Sequence, residues 1–150
     1  MREFAHDFPL PLPPDQALPY FTPRGEEAWV PGWSPRYVWP ESGATCAGMV
    51  FETGTGEART IWSCLTFDRD RHHARYLRVT PALHSVLVDV RCHPAPGGTG
   101  VRVAYRYHPL TRAGADIVAA MTDDGFATEI EGWRALVMAH HARTAAPPDC

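Results

Sequence analysis

Eight histidines and four cysteines are the residues of this chain that could hold a metal. Their spacing speaks against it. His72-His73 and His140-His141 are adjacent pairs, and neighbours on a helix point about 100° apart, so each pair makes a poor chelate. Cys92-His93 has no second half at zinc spacing. Cys46, Cys64, Cys92 and Cys150 form neither a C-x-x-C motif nor a disulfide framework. Cys64 and Cys92 stand in strand-like runs and read as small buried hydrophobes, while Cys150, the last residue, reads as a mobile thiol. No metal and no cofactor is expected. G-x-S-x-G is absent, and Gly54-Thr55-Gly56 is a turn without the strand-helix setting of a nucleotide loop. His6 and His84 are site candidates, each among apolar residues near a strand end, with a satisfied, partly buried histidine as the ordinary alternative. Asp89 shares its face with Arg91 and points away from Val88 and Val90. It is expected in cross-strand ion pairs with Arg91, Arg102 or Arg106 rather than as a base. Tyr76, Tyr105 and Tyr107 must satisfy their hydroxyls if buried, on a ligand if they face a cavity and on backbone or water if they do not.

Three kinds of element must position these groups. Phe4, His6 and Phe8 share a face at period two, a short strand. Residues 13–21 allow one or two helical turns, with Pro14 at a helix start, and residues 25–30 allow another turn. From residue 36 to 109, β-branched and aromatic runs alternate with turn residues. The expected strands are Arg36–Pro40, Cys46–Thr53, Arg59–Asp68, His73–Thr80, Ser85–Cys92 and Gly100–His108, with residues 94–100 as a loop. The short connections make these strands antiparallel neighbours. Val101, Val103, Tyr105 and Tyr107 share one face, as do Val86, Val88, Val90 and Cys92, and Met49 with Phe51. Alternation fails for residues 59–68, where Trp62 opposes Ile61, Leu65 and Phe67, and for residues 73–80, where both faces are mixed. Thr111 can cap a helical segment through Ile117, Val118 and Met121, and Thr122 or Asp123 a second one. In that second segment Phe126, Ile130, Trp133, Val137 and His140 form an apolar stripe, with Glu129, Glu131 and Arg134 off it.

Composition narrows the function. The 150 residues carry 14 basic side chains, every one an arginine, and 17 acidic ones. A nucleic-acid binder would need a basic face, so no nucleic-acid partner is expected. With 45% hydrophobic residues and a net charge of −3, a packed domain is expected rather than disorder. No apolar run reaches the roughly 18 residues of a membrane span, and Met1-Arg2-Glu3-Phe4 does not look like a signal peptide. A cytoplasmic setting is expected, and the arginine, alanine and proline content reads as the codon bias of a GC-rich genome. One domain over residues 1–150 is expected, with a disordered tail at 145–150.

Six or seven antiparallel strands need a partner layer. One long helix is about 10 Å wide, while such a sheet is about 30 Å across. The predicted fold is therefore α+β, a curved antiparallel sheet of six to seven strands wrapped around a long C-terminal helix. Two short helices follow the first strand, and concave area is left over for a cavity or a partner.

Several stretches carry a family resemblance: Phe21-Thr22-Pro23-Arg24-Gly25-Glu26-Glu27-Ala28-Trp29-Val30-Pro31-Gly32-Trp33-Ser34-Pro35, Gly48-Met49-Val50-Phe51-Glu52-Thr53, Thr60-Ile61-Trp62, Tyr76-Leu77-Arg78-Val79-Thr80-Pro81, and Trp133. From about Phe4 to His140 the chain resembles bacterial members of the SRPBCC, or START-like, superfamily. That superfamily includes the birch-pollen-allergen fold, lipid-transfer domains and polyketide cyclases. The resemblance implies a helix-grip fold with a hydrophobic cavity between sheet and long helix. Phe51, Tyr76, Val88, Val103, Tyr105, Phe126, Ile130 and Trp133 are the expected ligand-binding residues. By the same analogy Glu26 and Trp29 lie near the cavity mouth, unless they only anchor a short helix. The expected partner is a small hydrophobic molecule such as a lipid, a polyketide-like aromatic or an apolar metabolite. The alternative is a cyclase, dehydratase or hydrolase, which needs at least two polar groups with shifted pKa converging in the cavity. A third reading, an interaction protein such as a homodimer, predicts an exposed apolar patch on the outer sheet face near Trp62 and Leu77.

Overall fold

The computed structural model describes residues 1–145. Cys150 and nearly all of the expected tail at 145–150 lie outside the described residues. β1 (Arg2–Leu10) is followed by α1 (Pro14–Ala17), a 3-10 turn (Leu18–Phe21) and α2 (Pro23–Glu26). Pro14 and Pro23 open their helices, where the missing N–H costs nothing. Then come β2 (Arg36–Trp39), β3 (Val50–Thr53), β4 (Thr60–Asp68), β5 (His73–Thr80), β6 (His84–Ala95) and β7 (Gly98–Pro109). α3 (Arg112–Ala120) and α4 (Asp123–Ala145) finish the chain. The strands form a seven-stranded antiparallel sheet in the order β1-β7-β6-β5-β4-β3-β2. This is the predicted helix-grip architecture. No described helix is long and apolar enough to cross a membrane.

Local chemistry sets the boundaries. The expected strand over 46–53 shortens to Val50–Thr53. Gly48 takes a positive φ of 86°, and Met49 N–H bonds the Cys46 carbonyl, turning the chain before pairing begins. The expected loop at 94–100 is mostly ladder. Pro94 pairs with Thr99 and Ala95 with Gly98, leaving a two-residue turn at Pro96-Gly97, where Gly97 has φ 81°. Thr111 caps α3 through the Gly114 N–H at 3.1 Å, and Thr122, not Asp123, caps α4 through the Gly125 N–H at 3.0 Å.

The strands with unreadable faces have two separate explanations. Register shifts between Cys64 and Thr66, so one extra residue enters β4. Trp62 and Phe67, of opposite parity, therefore both pair with residues of the concave face, Arg78 and Ala74. In β5 the concave face carries Ala74, Tyr76, Arg78 and Thr80. It looked mixed because a charged residue occupies a core-facing position.

α4 runs 23 residues and leans on β1. Phe126 stacks on Phe4 at 5.6 Å, and Arg134 Nε–H donates to the Pro9 carbonyl at 3.3 Å. Phe126, Ile130 and Val137 are buried, while Trp133 and His140 are half-buried. The helix covers only part of the concave face. α1, the 3-10 turn and α2 close another part, tied down by Thr99 Oγ1–H to the Leu12 carbonyl at 2.6 Å and Tyr76 O–H to the Phe21 carbonyl at 2.9 Å.

Candidate ligand cavity

What remains open between these layers is a cavity of about 200 Å³. α2 and the segment after it supply Glu26, Trp29, Val30 and Trp33. The sheet supplies Phe51, Trp62, Tyr76, Arg78, Val88, Val90 and Tyr105, and α4 supplies Glu129 and Trp133. Three of its indole N–H groups are committed elsewhere, which fixes the rings. Trp29 donates to the Tyr20 carbonyl at 2.8 Å, Trp33 to the Pro23 carbonyl at 2.8 Å and Trp62 to Thr53 Oγ1 at 3.0 Å. Phe51 stacks on Trp62 at 5.4 Å with Trp33 edge-on to both, while Trp29 and Tyr105 flank Trp133 at 5.9 and 6.1 Å.

Glu26 is delivered by a tightly built turn. Thr22 Oγ1 accepts from the Gly25 N–H at 3.0 Å and donates to the Pro19 carbonyl at 2.8 Å. A Cβ at Gly25 would overlap that same carbonyl, so only glycine lets α2 pack this closely. The two adjacent glutamates then meet different surroundings. Glu27 turns outward to Arg24 and Tyr37. Glu26 turns into the cavity and is half-buried there. Burial pushes its carboxyl from 4.5 up to about 8, against the opposing pull of Arg78. The carboxyl is therefore mainly protonated at neutral pH. Burial also raises the Tyr105 and Tyr76 phenols. Arg78 lies among rings, its guanidinium carbon 5.5 Å from the Trp62 ring centre and 5.2 Å from that of Tyr105. Its Nε is buried without a hydrogen-bond partner.

Of the predicted ligand-binding residues, Phe51, Tyr76, Val88, Tyr105 and Trp133 line this cavity. Val103 and Ile130 do not; both are fully buried in filled core. Phe126 faces a separate hollow of about 190 Å³ with Phe4, Tyr107 and Met121. Both histidine candidates lie elsewhere. His6 Nε2 sits 2.8 Å from Glu131 Oε1 at the surface, and His84 packs edge-on against Tyr107 at 5.3 Å. Trp62 faces the cavity, which removes it from the outer patch expected for an interaction surface. Asp89 points outward and pairs with Arg91, Arg75 and His73, while Arg102 and Arg106 take Asp7 and Glu3 instead. Sequence reasoning missed Arg78, Trp33 and Glu129. The one signal for Arg78 was a charge at concave parity between Tyr76 and Thr80. A second hollow of about 370 Å³, lined by Asp15, Leu18, Phe67, Arg69 and His72 among others, lies under α1 and has no comparable convergence of buried polar groups.

No protein-family profile and no curated protein matches this sequence. Solved structures do. Protein MLL2253 from Mesorhizobium loti superposes with TM-score 0.68 at 13% identity, covering 97% of this chain and 100% of its own. Ara h 8.0201 gives TM-score 0.66 at 16% identity, with 95% and 96% covered. Norcoclaurine synthase from Thalictrum flavum, in a structure with dopamine and hydroxybenzaldehyde, gives 0.63 at 12% identity, with 93% and 87% covered. At these identities the likeness is one of architecture, and it agrees with the sheet and the long helix described above. The chain thus has a helix-grip fold, the architecture it shares with these solved structures.

Proposed function

We propose that the protein binds a small aromatic molecule in the cavity between sheet and C-terminal helix. The observation that carries this reading is about 200 Å³ of space walled by four tryptophans, Phe51 and Tyr105. An apolar cavity of about 150 Å³ takes up benzene, so this one has room for one or two fused rings. Drug-sized ligands already call for pockets on the order of 300–1,000 Å³, and a lipid is at least that large, which favours a small aromatic metabolite over a lipid. The single-ring molecules held by norcoclaurine synthase are of fitting size.

The test contrasts two valines on neighbouring strands. Val88 lines the cavity, whereas Val103 is fully buried away from it. Val88→Trp should place its ring in the cavity and abolish binding of 2-naphthol, read by titration calorimetry, with the melting temperature kept. Val103→Trp should overpack the core and destabilise by about 1–3 kcal/mol. A parent protein that does not bind the probe, or a Val88→Trp variant that still does, overturns the reading.

A second reading, proton transfer to a ligand in the same cavity, is favoured by one observation. Glu26 and Tyr105 both have raised pKa and converge there. A carboxyl titrating near 8 can give or take a proton at neutral pH, as a dehydration or cyclisation requires. Turnover of a bound aromatic should then depend on pH through the Glu26 titration and be lost in Glu26→Gln.

A further inference from the structure

We propose that the aromatic molecule taken by this cavity is an acid, whose carboxylate pairs with Arg78 and accepts a hydrogen bond from the Glu26 carboxyl. The proposal rests on the cavity being a ligand site and adds the charge of what it holds.

Arg78 is the group that calls for an anion. A guanidinium stays charged at any physiological pH. The arginines on the outer sheet face hold carboxylates, Arg75 on Asp89, Arg102 on Asp7 and Arg106 on Glu3. Among the described residues Arg78 has no such ion pair, although it projects into the interior. Attraction to the Trp62 and Tyr105 ring faces recovers only part of the hydration that this half-buried cation loses. Its Nε–H, buried and without an acceptor, is the kind of orphan donor that native structures rarely leave unmatched.

The other polar groups around the cavity do not fill this role. Glu26 feels Arg78, but burial outweighs that pull and keeps the carboxyl protonated at neutral pH. Glu129, on α4, is solvent-exposed at the rim. The Tyr76 hydroxyl is committed to the Phe21 carbonyl, Tyr105 is a neutral phenol kept so by burial, and Tyr107, outside the cavity, is a phenol raised by burial that lies against Arg78 without supplying a charge to match it. A cation and a carboxylic O–H thus face one small space walled by rings. A planar carboxylate offers two acceptor oxygens, one for each donor, and charge-assisted bonds of this kind are the strong ones. The attached ring occupies the remaining aromatic space.

The experiment titrates the full chain with 1-naphthoate and 1-naphthamide, probes matched in size and differing in charge. Near pH 6.5 the acid should bind about tenfold or more tighter than the amide. Arg78→Met should erase that preference, and Arg78→Lys, which keeps the charge, should restore part of it and serves if the methionine variant does not fold. Raising the pH past 8 should weaken naphthoate binding as Glu26 ionises, and Glu26→Gln should remove that weakening. Equal binding of acid and amide, or a preference that survives Arg78→Met, overturns the anion assignment and leaves the aromatic cavity standing. Binding of neither probe overturns both readings.

Discussion

Glu26→Gln should remove a large share of the fall in stability between about pH 5 and 9. The sign follows from proton binding. Unfolded, the carboxyl releases its proton near 4.5; folded, it keeps it to about 8. Below pH 4.5 both states are protonated and Glu26 contributes no slope. Between the two values the folded state holds more protons, so stability is lost as pH rises, and the loss levels off above 8. The accumulated cost is about 3–5 kcal/mol at 1.36 kcal/mol per tenfold change in proton affinity. A glutamine has no proton to lose. The variant should match the parent near pH 4 and be the more stable protein at pH 9. Urea unfolding across that range measures it, and parallel curves for the two proteins would show that Glu26 ionises as an ordinary surface acid.

Phe21→Ala should cost about 3–5 kcal/mol, the usual penalty for deleting a buried aromatic ring, and more than Trp133→Ala. Phe21 is 1% exposed. Its ring meets Phe8 at 6.2 Å, Trp29 at 6.1 Å and Trp133 at 6.3 Å, and its carbonyl accepts the Tyr76 hydroxyl. Trp133 is the larger ring, but it is half-buried and one side borders the cavity, so fewer packed neighbours are lost. The short 3-10 turn, rather than the long helix, then carries the aromatic junction that closes the cavity. Equal losses of melting temperature in the two variants, or a larger one in Trp133→Ala, would return that role to α4.

The architecture was legible because its signals are local and periodic. Val101, Val103, Tyr105 and Tyr107 alternate cleanly, Thr111 and Thr122 cap, and Phe126, Ile130, Trp133 and Val137 recur at helical steps. These features already imply a curved antiparallel sheet, one long helix and a concave face too wide for that helix to cover. The concave face could be read where alternation was unbroken, as at Phe51, Val88, Val103 and Tyr105, while Tyr76 stands in a strand whose faces looked mixed and Trp133 belongs to the helical stripe.

Three-dimensional packing decided the rest, because each remaining feature depends on residues far apart in the chain. An unpatterned extra residue in β4 returned Trp62 and Phe67 to one face and set Trp62 opposite Arg78. Parity alone did not separate Val88 from Val103, since both point inward and only the position of α2 and α4 leaves space over one of them. The same packing separated Glu26 from Glu27. They are neighbours of one type, yet the close seat of Gly25 on the Pro19 carbonyl turns the first into the cavity and leaves the second in solvent. The number, type and order of the elements were thus written in side-chain periodicity. Which polar groups lost their water, and so acquired unusual chemistry, depended on how distant elements closed over them.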